Sequence, residues 1–87
     1  MYHVEFTPTA ASDLERLNRT TAQRIITKIR WSAENIVSLI PEPLTGQFEG
    51  VFKLRVGDYR VLYTLDKTEA SITVHFVRHR SEVYKIK

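Results

Sequence analysis

Between Phe52 and Val56 the chain alternates strictly, with Phe52, Leu54 and Val56 set against Lys53 and Arg55. Side chains along a strand have a period of two, so this stretch reads as a half-buried strand with two cations on its open side. Gly57-Asp58 then supplies a turn, and a second strand starts at Tyr59 and carries another cation, Arg60. A third strand is expected at about 71–78, after the polar turn Asp66-Lys-Thr-Glu69. On this reading Tyr59, Val61, Tyr63 and Leu65 share one face of the middle strand, and Ile72, Val74 and Phe76 share one face of the last.

The first half follows other rules. Tyr2 to Phe6 alternates and is short, as one strand would be. Thr7 is placed as a helix N-cap with Pro8 at the first helical position, where a missing N–H costs nothing. A short helix to about Leu17 would bury Ala10 or Ala11, Leu14 and Leu17. A longer helix is marked by Ala22, Ile25, Ile26, Ile29, Ala33, Ile36 and Val37, which recur at three- and four-residue intervals. Thr20, three residues before Gln23, has capping-box spacing at its start. Pro41-Glu-Pro43 closes the helical region, and 44–50 reads as a loop. The resulting order is β-α-α-β-β-β over one domain, residues 1–87. It is an α+β fold, two helices on a mainly antiparallel four-stranded sheet.

Charge is unevenly divided. Residues 1–50 hold five Lys/Arg and six Asp/Glu, a balance of −1; residues 51–87 hold eight and four, a balance of +4. A basic surface in the C-terminal half implies an anionic partner. Lys67, Lys85 and Lys87 read as ordinary surface charges. Cysteine is absent, which excludes disulfides and thiolate metal sites. The opening Met1-Tyr-His-Val-Glu-Phe6 has neither the basic nor the apolar region of a signal peptide, and no apolar run approaches a membrane span. The expectation is a soluble, cytoplasmic protein with no membrane partner.

There is no glycine-rich phosphate loop and no G-x-S-x-G. His75 and His79 lie four apart on a strand, too far for one metal, so no metal and no cofactor are expected. What remains is cationic: Lys53, Arg55, Arg60, Arg78 and Arg80, with His79 and Tyr84. Cutting RNA without a metal needs a deprotonated 2′-hydroxyl, stabilised charge on phosphorus and a protonated leaving oxygen. Arginine and lysine suit the second task, and a histidine such as His79 is a candidate for moving a proton. Arg60 stands out because it sits on a central strand; the duller reading pairs it with Asp58 or Glu82. Tyr63 and Phe76 are expected in the core, His3 and His75 are read as structural, and Trp31 is expected to pack against a neighbour or a partner.

The segments Gly50-Val-Phe-Lys-Leu-Arg-Val-Gly-Asp-Tyr-Arg-Val-Leu-Tyr63 and Val77-Arg-His-Arg-Ser-Glu-Val-Tyr-Lys85 closely resemble the RelE/ParE superfamily of bacterial toxins, more narrowly its RelE branch. The element order and length agree along the whole chain. The resemblance implies the toxin of a type II toxin–antitoxin system, an mRNA interferase that enters the ribosomal A site, cuts messenger RNA without metal, inhibits translation and is silenced by a cognate antitoxin. Carried over residue by residue, it makes Lys53 the proton acceptor for the 2′-hydroxyl and Arg55 a phosphate stabiliser. Arg60 would grip the scissile phosphate, Arg80 would stabilise or protonate the leaving group, and Tyr84 would stack on a base. His79 stands where many relatives carry histidine and could share the proton transfers. Arg55 departs from the lysine also found at its position, and an arginine there cannot act as a base. The alternatives are a ParE-type relative, which poisons DNA gyrase and cuts no RNA, and a decayed toxin kept as an antitoxin-binding module.

Overall fold

The computed structural model describes residues 2–39, 41–44 and 50–83. Its elements are β1 (His3–Phe6), α1 (Pro8–Glu15), α2 (Arg19–Glu34), β2 (Glu42–Pro43), β3 (Phe52–Val56), β4 (Tyr59–Asp66) and β5 (Ser71–His79). The five strands form one sheet in the order β1-β5-β4-β3-β2. β1 runs parallel to β5 and every other pair is antiparallel. The sheet therefore has one strand more than the four expected. The extra strand, β2, is two residues long and contains Pro43, so no alternation announces it. Among the described residues, no helix is long and apolar enough to cross a membrane.

Local chemistry sets the helix ends. Thr7 caps α1 as expected, its hydroxyl accepting the Ala10 N–H at 3.1 Å with Pro8 in the first turn. α2 begins earlier than the Thr20 capping box implied. Asn18 is the N-cap, and its Oδ1 accepts the Thr21 N–H at 2.8 Å. At the far end the backbone and side-chain N–H groups of Asn35 both bond to the Trp31 carbonyl, at 2.9 and 2.8 Å, and the helix stops. Val37, expected on the buried stripe, lies past that stop and is 98% exposed.

Both helices cover one face of the sheet. Ala10, Ile25, Ile29 and Ala33 meet Val61, Tyr63, Ile72, Val74 and Val77 in the main core, with Leu54, Val56 and Tyr59 packed at its margin. One expectation fails here. Leu62 is registered with Phe76 but Tyr63 with Val74, which makes His75 an extra, bulged residue in β5. A bulge inverts the two-residue period beyond it. Val77 therefore joins Ile72 and Val74 on the helix side, and Phe76 turns to the opposite face, where it packs beside Leu44, Leu62, Val83 and Val51.

Candidate functional site

The uncovered face of the sheet has an apolar end and a cationic end. At the apolar end Leu62 and Val83 are buried, with Leu44 close behind. Val83 arrives there because the chain reverses after β5: the Glu82 N–H bonds to the His79 carbonyl at 2.8 Å. The turn after β5 thus carries Val83 back onto the open face. Tyr84, expected as the stacking residue, lies outside the described residues.

At the cationic end, Arg55, Arg60 and Arg78 are cross-strand neighbours on β3, β4 and β5. Like charges directly opposite one another destabilise a sheet, so each must be satisfied separately. Arg55 reaches Glu42 Oε1 at 3.2 Å, both side chains being exposed. Arg78 bends over the strand edge, its guanidinium carbon 5.1 Å from the centre of the Phe76 ring and its Nε 2.9 Å from Asp13 Oδ2. Arg60 instead donates to two backbone carbonyls through Nη1, Gly57 at 3.0 Å and Tyr59 at 2.9 Å. Among the described residues it ion-pairs with no carboxylate, neither Asp58 nor Glu82. Carbonyl oxygens orient a guanidinium without cancelling its charge, so Arg60 remains a held cation with donors to spare.

Arg80 stands at the tip of the β3–β4 hairpin. Its backbone N–H bonds to the Asp58 carbonyl at 2.7 Å, and its exposed guanidinium lies 3.9 Å from Asp58 Oδ1. The hairpin turns through Gly57 at φ +59°, a left-handed conformation that glycine adopts without strain. Lys53 is half-buried, registered between Glu42 and Leu62, and it is engaged rather than free. Lys53, Arg55, Glu42 and Tyr63 border a depression of roughly 480 Å³ at the β2 rim. Burial, and secondarily the Glu42 carboxylate, raise the Tyr63 phenol above its ordinary pKa.

The structure brings Arg55, Arg60 and Lys53 onto one face and sets Arg80 beside their hairpin. It separates His79 from them. His79 is registered with Tyr59 and meets that ring edge-on at 5.5 Å, on the helix side of the sheet. Its Nδ1 accepts the Ser81 N–H at 3.2 Å and contacts Ser81 Oγ at 2.9 Å. This histidine shapes the turn that starts the C-terminal reversal.

Asp13 escaped the sequence reading. It is 3% exposed, and its carboxylate accepts the Val77 N–H at 3.0 Å, Arg78 Nε and Arg16 Nη2. β1 ends at Phe6, paired with Val74, so the outer edge of β5 beyond that point needs another partner. Asp13 and Thr7 supply it; the Thr7 hydroxyl donates to the His75 carbonyl at 3.1 Å. The one signal available was a carboxylate three residues after Ala10, on the apolar stripe of α1. Among the described residues, no three histidine or acidic side chains converge as metal ligands.

This architecture has known counterparts. The family of ParE toxins of the type II toxin–antitoxin system parDE matches residues 4–84. Toxin RelE of Mycobacterium tuberculosis is 33% identical over 85 residues, covering 98% of this chain and 88% of that protein. Toxin RelG of the same organism is 33% identical over 88 residues, covering 97% of each. The toxin–antitoxin complex RelBE2 of M. tuberculosis contains a chain that superposes with a TM-score of 0.76 at 30% identity, over 91% of this chain and 98% of that one. The isolated RelE toxin of E. coli shares the fold, with a TM-score of 0.75 at 20% identity over 98% and 93%. The chain belongs to the ParE toxin family of type II toxin–antitoxin systems and, within the RelE/ParE superfamily, stands with the RelE-type toxins.

Proposed function

We propose that the protein is a ribosome-dependent endoribonuclease that cuts messenger RNA in the A site without a metal and is held inactive by a cognate antitoxin. The observation that carries this reading is Arg60, a cation fixed on the open face by two carbonyls and matched by no carboxylate among the described residues. An in-line attack of the 2′-oxygen on phosphorus builds negative charge on the non-bridging oxygens. A preset guanidinium stabilises that charge with little reorganisation. Arg55 adds a second donor once Glu42 yields it. Lys53 takes the 2′-hydroxyl proton, Arg80 meets the departing 5′-oxygen at the hairpin tip, and Tyr84 stacks on a base. His79, across the sheet, is given no part.

Support comes from the RelE-type relatives, and the solved RelBE2 complex supports an antitoxin partner. The matching family bears the ParE name, which keeps one rival in view: a gyrase poison with no nuclease activity. Primer extension on a message in a translation reaction, with and without ribosomes, separates the two. Ribosome-dependent cuts within A-site codons that vanish in Arg60→Ala are the expected result. Intact message together with trapped gyrase–DNA complexes would overturn it.

A further inference from the structure

α2 presents a second stripe that the core does not use. Thr20, Arg24, Thr27 and Trp31 follow one another at helical spacing, away from the buried Ile25, Ile29 and Ala33. Together with Val56 at the end of β3, they border a groove of roughly 730 Å³ whose exposed lining is chiefly carbon. Trp31 is 48% exposed, a large apolar surface to leave in water. The charged residues of the groove are all basic: Arg19, Arg24 and Lys28 line it and no acidic residue does. Among the described residues, none of these three cations forms an ion pair. Over its length α2 carries Arg19, Arg24, Lys28 and Arg30 against Glu34 alone.

We propose that this groove seats an acidic amphipathic helix of the antitoxin. An apolar side chain of that helix covers Trp31 and Val56, and carboxylates on the adjoining turns meet Lys28, Arg24 and Arg19. The stripe from Thr20 to Trp31 spans eleven residue steps, roughly 16 Å, which matches about three turns of a partner helix. Protein is favoured over RNA by the ring itself. Lys28 Nζ lies 4.6 Å from the centre of Trp31, so one face of the ring is already taken by an ammonium that a stacking base would have to displace. The groove also lies on the helix side of the sheet, with Arg60 on the other. A partner seated here leaves the candidate site open unless its chain continues around the β3–β4 turn, where a side chain added at Gly57 would meet the Arg24 guanidinium. The proposal rests on the antitoxin partnership but not on RNA cleavage.

Trp31 is the chain's single tryptophan, so its fluorescence reports on the groove directly. The experiment titrates the full-length toxin with purified cognate antitoxin, reading Trp31 emission and, by calorimetry, affinity. The expected result is a blue shift with loss of acrylamide quenching. Arg24→Glu and Lys28→Glu should each weaken binding at least tenfold, more so at low salt, without changing messenger cleavage. Undiminished affinity in both variants, or Trp31 emission that ignores the antitoxin, would overturn the proposal. So would an emission change produced by ribosomes or RNA instead, or by self-association of the toxin alone. If messenger RNA stays intact while the antitoxin still shifts Trp31, the nuclease reading fails and the groove stands.

Discussion

The two faces of the sheet are built from the same strands and held by different means. The helix side is a continuous apolar core in which Ile25, Ile29, Val61, Val74 and Val77 exclude water. The open side has the small Leu44, Leu62 and Val83 cluster at one end and three registered arginines at the other. The first arrangement stabilises the fold by burial; the second spends part of that stability on holding like charges close together. The lesson is a division of labour by parity. Odd-numbered positions of β4 pack the helix-side core, while the even ones face the open side, Leu62 in its small cluster and Arg60 as a held cation.

Asp13 ties the two sides together, since it belongs to α1 yet grips Arg78 of the open-face row. Asp13→Ala should be the most damaging single change, at about 3–5 kcal/mol, because it strands a half-buried guanidinium and an edge N–H. Asp13→Asn can still accept the Val77 N–H and should cost less. Urea unfolding of both variants measures the difference. Equal losses would mean that packing, not the carboxylate, is what matters there.

Arg60→Ala tests the division from the other direction. Cleavage should fall by about two to three orders of magnitude, the usual result of deleting one preset donor to transition-state charge. Stability should stay within about 0.5 kcal/mol, as for a surface substitution. A large loss of stability with unchanged cleavage would show that Arg60 belongs to the fold.

The apolar residues offer a graded pair. Leu54→Ala, beneath the helices, should cost about 2–3 kcal/mol, near the low end for core truncation because the side chain is half-buried. Val83→Ala should cost about 1–2 kcal/mol on the open side, from its lost methyl groups. Thermal melts rank them. If Val83→Ala proves the costlier, the C-terminal segment is a structural cover and the two faces are less unequal than their burial suggests.

Much of this was legible because it is local. The Thr7-Pro8 cap, the α2 stripe and the Phe52–Tyr63 hairpin each rest on residues a few positions apart, where backbone geometry leaves little choice. What escaped depends on distant pairings. The bulge at His75 is a mismatch between two strands, invisible in either alone, and it alone moved Phe76 to the other face. β2 exists because Glu42 and Pro43 meet Lys53 and Phe52, and Asp13 matters through a bond 64 residues away. In the candidate site, the basic residues were identified by their pattern and by family resemblance. Their neutralisation was not, since Glu42 and Asp13 reach Arg55 and Arg78 from other elements. His79 was a candidate to share the proton transfers, and the same bulge turns it, with Val77, to the helix side.

Tyr63 belongs to the helix-side core, its ring 5.7 Å from that of Phe52 and its phenol influenced by Glu42 from the β2 rim. Burial raises its pKa above 10.0, with Glu42 adding to the rise. In the unfolded chain the phenol ionises near its ordinary value, while in the folded protein it keeps its proton to higher pH. Stability from this source is therefore complete below about pH 10 and is lost as pH rises toward the folded value. Tyr63→Phe removes the titration, so the stability gap between wild type and variant should shift in the variant's favour above pH 10 and stay constant below it. Urea midpoints on either side of that pH measure the shift. A gap independent of pH would place the Tyr63 phenol in contact with water and mark the helix-side core as open at the β2 rim.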